Sequence, residues 1–195
     1  MNKLTPRDLR RLNSRIEQTL EGLMDWSTFS VEGFRAALAA KVEGPITLAP
    51  FHWQNAALSG LSLGCSGPTG RKWLVFYESE TDADHQLVIV LHELMHIAFG
   101  HCSATMPPEQ LRNVLTAVGL YPQKELETVV VYTRLCLYGD KGIILVNRED
   151  TEREAELAAI WTVTRARRAG ALPPLGSSFL AEHRAIDDNL GHGMA

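Results

Sequence analysis

Leu9, Leu12, Ile16, Leu20 and Leu23 recur at intervals of three or four with charged residues between them, a period that predicts an amphipathic helix. Thr5-Pro6-Arg7-Asp8 supplies its start, with proline in the first turn and an acidic residue three after the cap. A second helix is expected from Ser30 through Phe34, Leu38 and Val42, stopping at Gly44. The pattern then changes to short apolar runs broken by turns. Strands are expected at residues 45–48, 58–65 and 72–77, the last two joined by Ser66-Gly67-Pro68-Thr69-Gly70. Helical spacing returns at 87, 88, 91, 94, 95, 98 and 99, with Asp82 or Asp84 as N-cap and Gly100 as the stop.

Residues 107–118 read as a short helix. Residues 129–138 and 143–146 flank Gly139-Asp140-Lys141-Gly142 like a β-hairpin, although propensity leaves helix open for 124–137. A long helix follows from Asp150, acidic at its start and ending on Arg165, Arg167 and Arg168 before Gly170, as the helix dipole favours. Beyond a Pro-Pro pair, residues 179–188 suggest one more short helix. The expected architecture is α+β: helices with a small antiparallel or mixed sheet packed on the 82–100 helix. One domain covers 1–195, with amino-terminal helices at 1–44, the sheet and two long helices at 45–168, and an extension at 171–195.

The 82–100 helix carries His92-Glu93-Leu94-Met95-His96. Residues four apart share a helix face, so His92 and His96 can hold one metal ion, and Glu93 can act as general base on a water bound to it. A shuffled chain with these seven histidines would contain H-E-x-x-H with a probability of roughly 2%. A zinc peptidase needs a third protein ligand and an open position. A third histidine six residues after the second is absent, since His101 lies five after His96 and beyond Gly100; it reads as a helix-terminal group supporting the site. The later helix offers Glu152, Glu154 and Glu156, of which two are expected to be a solvated first turn. Glu154 lies on the face of Ala155, Ala158 and Ala159, whose small side chains allow close helix approach, and is the first choice as ligand. Glu152 is the reserve.

These two segments resemble the ImmA/IrrE family of zinc metallopeptidases. The resemblance rests on Trp73-Leu74-Val75-Phe76-Tyr77, on the H-E-L-M-H core followed by Gly100-His101, and on Glu152-Arg153-Glu154-Ala155. It covers roughly residues 30 to 168 and is closest to short actinobacterial members described as toxin components or regulators. It implies a zincin-like fold and a gluzincin-type site of two histidines, one glutamate and a water. It also implies a helix-turn-helix repressor or antitoxin as protein substrate or partner. The family's asparagine and phenylalanine after E-x-E-A are replaced here by Glu156 and Ala158, and an additional apolar segment separates the two helices. A non-catalytic alternative is a metal-stabilised regulator that binds a transcription regulator without cleaving it. Tyr77 and His101 are available to stabilise an oxyanion.

At 195 residues and 45% apolar, the chain has enough material for one substantial core. A net charge of −4 gives no general case for nucleic-acid binding. The arginines at 7, 10, 11 and 15 read as a solvated helix face, or one that docks on an acidic protein surface. Cys65, Cys102 and Cys136 are odd in number and form no C-x-x-C pair, so neither a disulfide framework nor a zinc ribbon is indicated. The charged amino-terminal stretch and the lack of a long apolar run point to a reducing cytoplasm and no membrane association.

Overall fold

The computed structural model describes residues 6–53, 59–67, 70–102, 105–106, 130–134 and 149–174. Helix α1 (Pro6–Leu20) buries Ile16 and Leu20 from the expected apolar stripe. A 3-10 turn (Trp26–Thr28) leads to α2 (Val31–Lys41), whose cap Ser30 accepts a hydrogen bond from the Gly33 amide at 3.0 Å. Phe34 and Leu38 face inward, and Lys41 donates to the Thr19 carbonyl at 2.7 Å, tying α2 to α1.

Strands β1 (Ile46–Phe51), β2 (Gly60–Gly67) and β3 (Gly70–Glu78) form the centre of a mixed sheet. β2 and β3 pair as an antiparallel hairpin, and β1 runs parallel to β3. Beyond β2 come β5 (Val130–Arg134) and the two-residue β4 (Thr105–Met106), giving the order β1-β3-β2-β5-β4 among the described residues. The β assignment therefore prevails over helix at residues 130–134. β5 pairs antiparallel with β2 and β4. The expected helices at 107–118 and 179–188 and the strand at 143–146 lie outside the described residues.

Helix α3 (Ala83–Ala98) starts at Asp82, whose side chain accepts from the amides of Asp84 and His85. It packs on β2 and β3 and, on another side, on α4 (Glu149–Arg168). The two helices run antiparallel. Arg167 of the last α4 turn donates to Asp84 of the first α3 turn at 2.7 Å, and the start of α4 meets the end of α3. Ala155, Ala158, Ala159 and Ala166 are wholly buried in the cluster that holds Leu91, Leu94 and Met95. Small residues at these positions let the helix backbones come close.

Both helices end in a glycine with positive φ, Gly100 at 70° and Gly170 at 78°. At the end of α3 the His101 amide bonds to the His96 carbonyl at 2.9 Å and the Gly100 amide to the Ile97 carbonyl at 3.1 Å. That is a Schellman stop, which folds the next residue back over the last turn. No helix among the described residues is long and apolar enough to cross a membrane.

Enlarging the α3–α4 contact tests this packing. Ala158→Leu is expected to lower stability by about 1–3 kcal/mol, because the added volume must push apart helices held at both ends. A urea denaturation midpoint compared with wild type measures it.

Candidate metal centre

The period of α3 places His92 and His96 one turn apart on the side facing α4, and both are buried. Their Nε2 atoms face each other at 3.0 Å. Across from them is Glu152, with Oε2 3.4 Å from His92 Nε2 and Oε1 3.4 Å from His96 Nε2. A tetrahedral ion with bonds of about 2.0–2.1 Å holds its donor atoms about 3.3–3.4 Å apart. The three groups therefore fit a metal ion, with donor atoms all within 4.8 Å of one another. Two imidazoles and a carboxylate suit several divalent ions.

The carboxylate in this position is Glu152 rather than Glu154. Steps of about 100° per residue put positions 152 and 154 about 200° apart around α4, so only one can look onto the His92–His96 pair. Glu154 instead receives the His101 ring, with Nε2 to Oε2 at 3.0 Å, and the Arg15 guanidinium at 2.8 Å. Arg15 comes from α1, so the competition for Glu154 is tertiary and leaves no local trace. The expectation of a solvated first turn also needs correction, since both Glu152 and Glu154 turn inward and Glu154 is 7% exposed.

His101, folded back by the Gly100 stop, sets its Nδ1 3.0 Å from His96 Nδ1. It meets the His96 ring from beyond the helix, and its ring nitrogens are both engaged. That occupies it otherwise than as an oxyanion donor. Tyr77, the other candidate for that role, lies opposite Gly60 in the β2–β3 register. Cys102 is buried with its Sγ 3.6 Å from Ser62 Oγ.

Glu93 is 1% exposed and lies one residue round the helix from His92, toward β2. A Cβ on Gly60 would sit 2.5 Å from Glu93 Oε1 and 3.0 Å from Ile89 Cγ2. Glycine at 60 thus makes room for the carboxylate, a role the sequence reading missed. An isolated glycine at the start of a strand was the available signal, since it often marks close approach by another group.

Electrostatics separates the two imidazoles. Burial drives His96 down to about 4, only partly opposed by Glu152. Burial acts the same way on His92, but hydrogen bonding to Glu152 and the negative charges of Glu93, Glu152 and Glu156 outweigh it and raise its pKa. Burial would raise the Glu152 carboxyl, yet its bonds to His92 and His96 hold it well below the usual range. The result is a site that keeps an ionised carboxylate and at least one neutral imidazole near neutrality.

A buried cluster of two histidines and a glutamate, supported by a third histidine and a second glutamate, is thus the chemically distinctive feature of the molecule. No protein-family model, curated protein or solved structure matches the chain.

In chelator-treated protein, His92 is expected to take up a proton before His96, which stays neutral until about pH 4. Between 6.5 and 4 the unfolded chain binds the His96 proton and the folded one does not, so this group makes stability fall as pH falls. His92 acts with the opposite sign, its contribution being lost as pH rises through its raised pKa. NMR titration of the imidazole signals checks the order.

Proposed function

We propose that the chain is a zinc-dependent endopeptidase of the ImmA/IrrE type, with a zincin-like fold. The observation that carries this reading is H-E-x-x-H on a buried helix with the Glu152 carboxylate 3.4 Å from both histidines. With zinc bound, His92 and His96 would each offer an Nε2 lone pair, and Glu152 would complete the ligand set in place of the expected Glu154. When bound, zinc lowers the pKa of a water and polarises a peptide carbonyl. Glu93 removes the proton from the attacking water and delivers it to the departing amine. Gly60 keeps that carboxylate from being displaced. The resemblance points to a helix-turn-helix repressor or antitoxin as substrate, in a toxin–antitoxin or transcription-regulating role in the cytoplasm, without direct nucleic-acid contact.

One observation favours a second reading, a metal-stabilised regulator that binds its partner without cutting it. His96 is 0% and Glu93 1% exposed, closer to an enclosed structural centre than to an open one.

Three substitutions test these readings. Glu152→Ala is expected to abolish stoichiometric zinc uptake, measured by elemental analysis of the purified protein. Loss of zinc from Glu154→Ala but not from Glu152→Ala would overturn the ligand assignment. Glu93→Gln is expected to keep zinc and fold while abolishing cleavage of the cognate repressor. If it still relieves repression as wild type does, the proteolytic reading fails and the binding module takes its place.

A further inference from the structure

Behind the metal centre lies a line of buried polar groups that the hydrolytic scheme does not use. His96 Nδ1 meets His101 Nδ1 at 3.0 Å, His101 Nε2 meets Glu154 Oε2 at 3.0 Å, and Glu154 Oε1 meets Arg15 at 2.8 Å. His96, His101 and Glu154 are buried, while Arg15 reaches in from an exposed position on α1. The His101 ring is flanked by Phe99, with centroids 5.5 Å apart, and the Arg15 guanidinium lies 5.4 Å from the centre of the same Phe99 ring.

The chemistry of the groups gives this line a direction. An ionised carboxylate paired with an arginine can only accept, so the His101 nitrogen facing it must carry a proton. A neutral His101 then has a bare Nδ1, which can only accept from His96 Nδ1–H. With its proton on Nδ1, His96 has its lone pair on Nε2, the atom that faces His92 and Glu152. The reverse polarity would set the bare Nε2 of His101 against a carboxylate oxygen, two acceptors at 3.0 Å.

We propose that His101, oriented by Glu154 and Arg15, is a positioning residue that holds His96 in the tautomer presenting Nε2 to the metal. This rests on the metal-centre reading and deepens it. It also accounts for Glu154, whose carboxylate orders the support of a ligand rather than ligating. Outer partners of this kind fix ring orientation and raise ligand basicity, and their loss commonly costs about 10–100-fold in metal affinity.

The test uses the full chain loaded with zinc. Long-range proton–nitrogen NMR of histidine-labelled protein is expected to show His101 neutral with its proton on Nε2. A proton on its Nδ1, alone or together with Nε2, overturns the proposal. Zinc affinity from chelator competition is expected to fall about 10–100-fold in His101→Phe and in Glu154→Gln. His101→Gln, whose amide oxygen can accept from His96 Nδ1–H, is expected to regain part of the loss. Affinity within twofold of wild type in both His101→Phe and Glu154→Gln overturns the positioning role while leaving the metal centre standing. A wild-type protein that takes up no zinc overturns the metal centre itself. Should His101→Phe fail to fold, the Gln variants and the wild-type spectrum decide.

Discussion

Everything at the candidate centre depends on how closely α3 and α4 lie against each other. Two histidines on one helix supply half a metal site, and the missing carboxylate must come from a helix whose sequence position is some sixty residues on. The alanines at 155, 158 and 159 bury without bulk and let the backbones approach. The Arg167–Asp84 pair fixes the far end of the antiparallel pair, and the Glu154–His101 contact fixes the near end. Between these fastenings, the register of Glu152 against His92 and His96 has little freedom. The sheet contributes from the other side, where β2 carries Gly60 against Glu93. The centre is therefore made by packing, with the polar groups placed by the apolar ones around them.

Placing so many polar groups in the interior is costly, and the arrangement shows how the cost is limited. His96 and Glu152 are each pulled by burial toward their neutral forms, and each is opposed by the other. His101 and Glu154 are satisfied in a row that leads out to a solvated arginine, so the negative charge is answered at the protein surface. Such a network confers little stability compared with an apolar core of equal volume. It is not a source of cohesion.

Local code carried much of this into the sequence. The period of apolar residues, the Asp82 and Ser30 caps and the Gly100 and Gly170 stops mark helix ends to within a few residues, because each reflects hydrogen bonding within one turn. The His92–Glu93–His96 grouping was legible for the same reason. What was not legible depended on meetings between distant segments. Glu154 looked like the ligand because its neighbours are small, and only the arrival of Arg15 from α1 shows where its charge is answered. Gly60 gives no sign of Glu93 until α3 lies on β2. Gly64 is similar, since a Cβ there would fall 2.7 Å from the Trp73 indole across the strand pair. The pairing of β5 with β2 is of the same kind, since nothing local in 130–134 names a partner some seventy residues back.

The ion pair between Arg15 and Glu154 joins positions near opposite ends of the described chain. Contacts so distant in sequence carry a large loop-closure cost and tend to form late in folding. On a ribosome, His92 and His96 are synthesised well before Glu152 and Glu154, and Arg15 of α1 is made long before the carboxylate it pairs with. A polypeptide halted before residue 150 would own both imidazoles and hold neither carboxylate. Completion of the candidate centre thus coincides with completion of the tertiary structure, and a partly made chain cannot bring His92, His96 and Glu152 together.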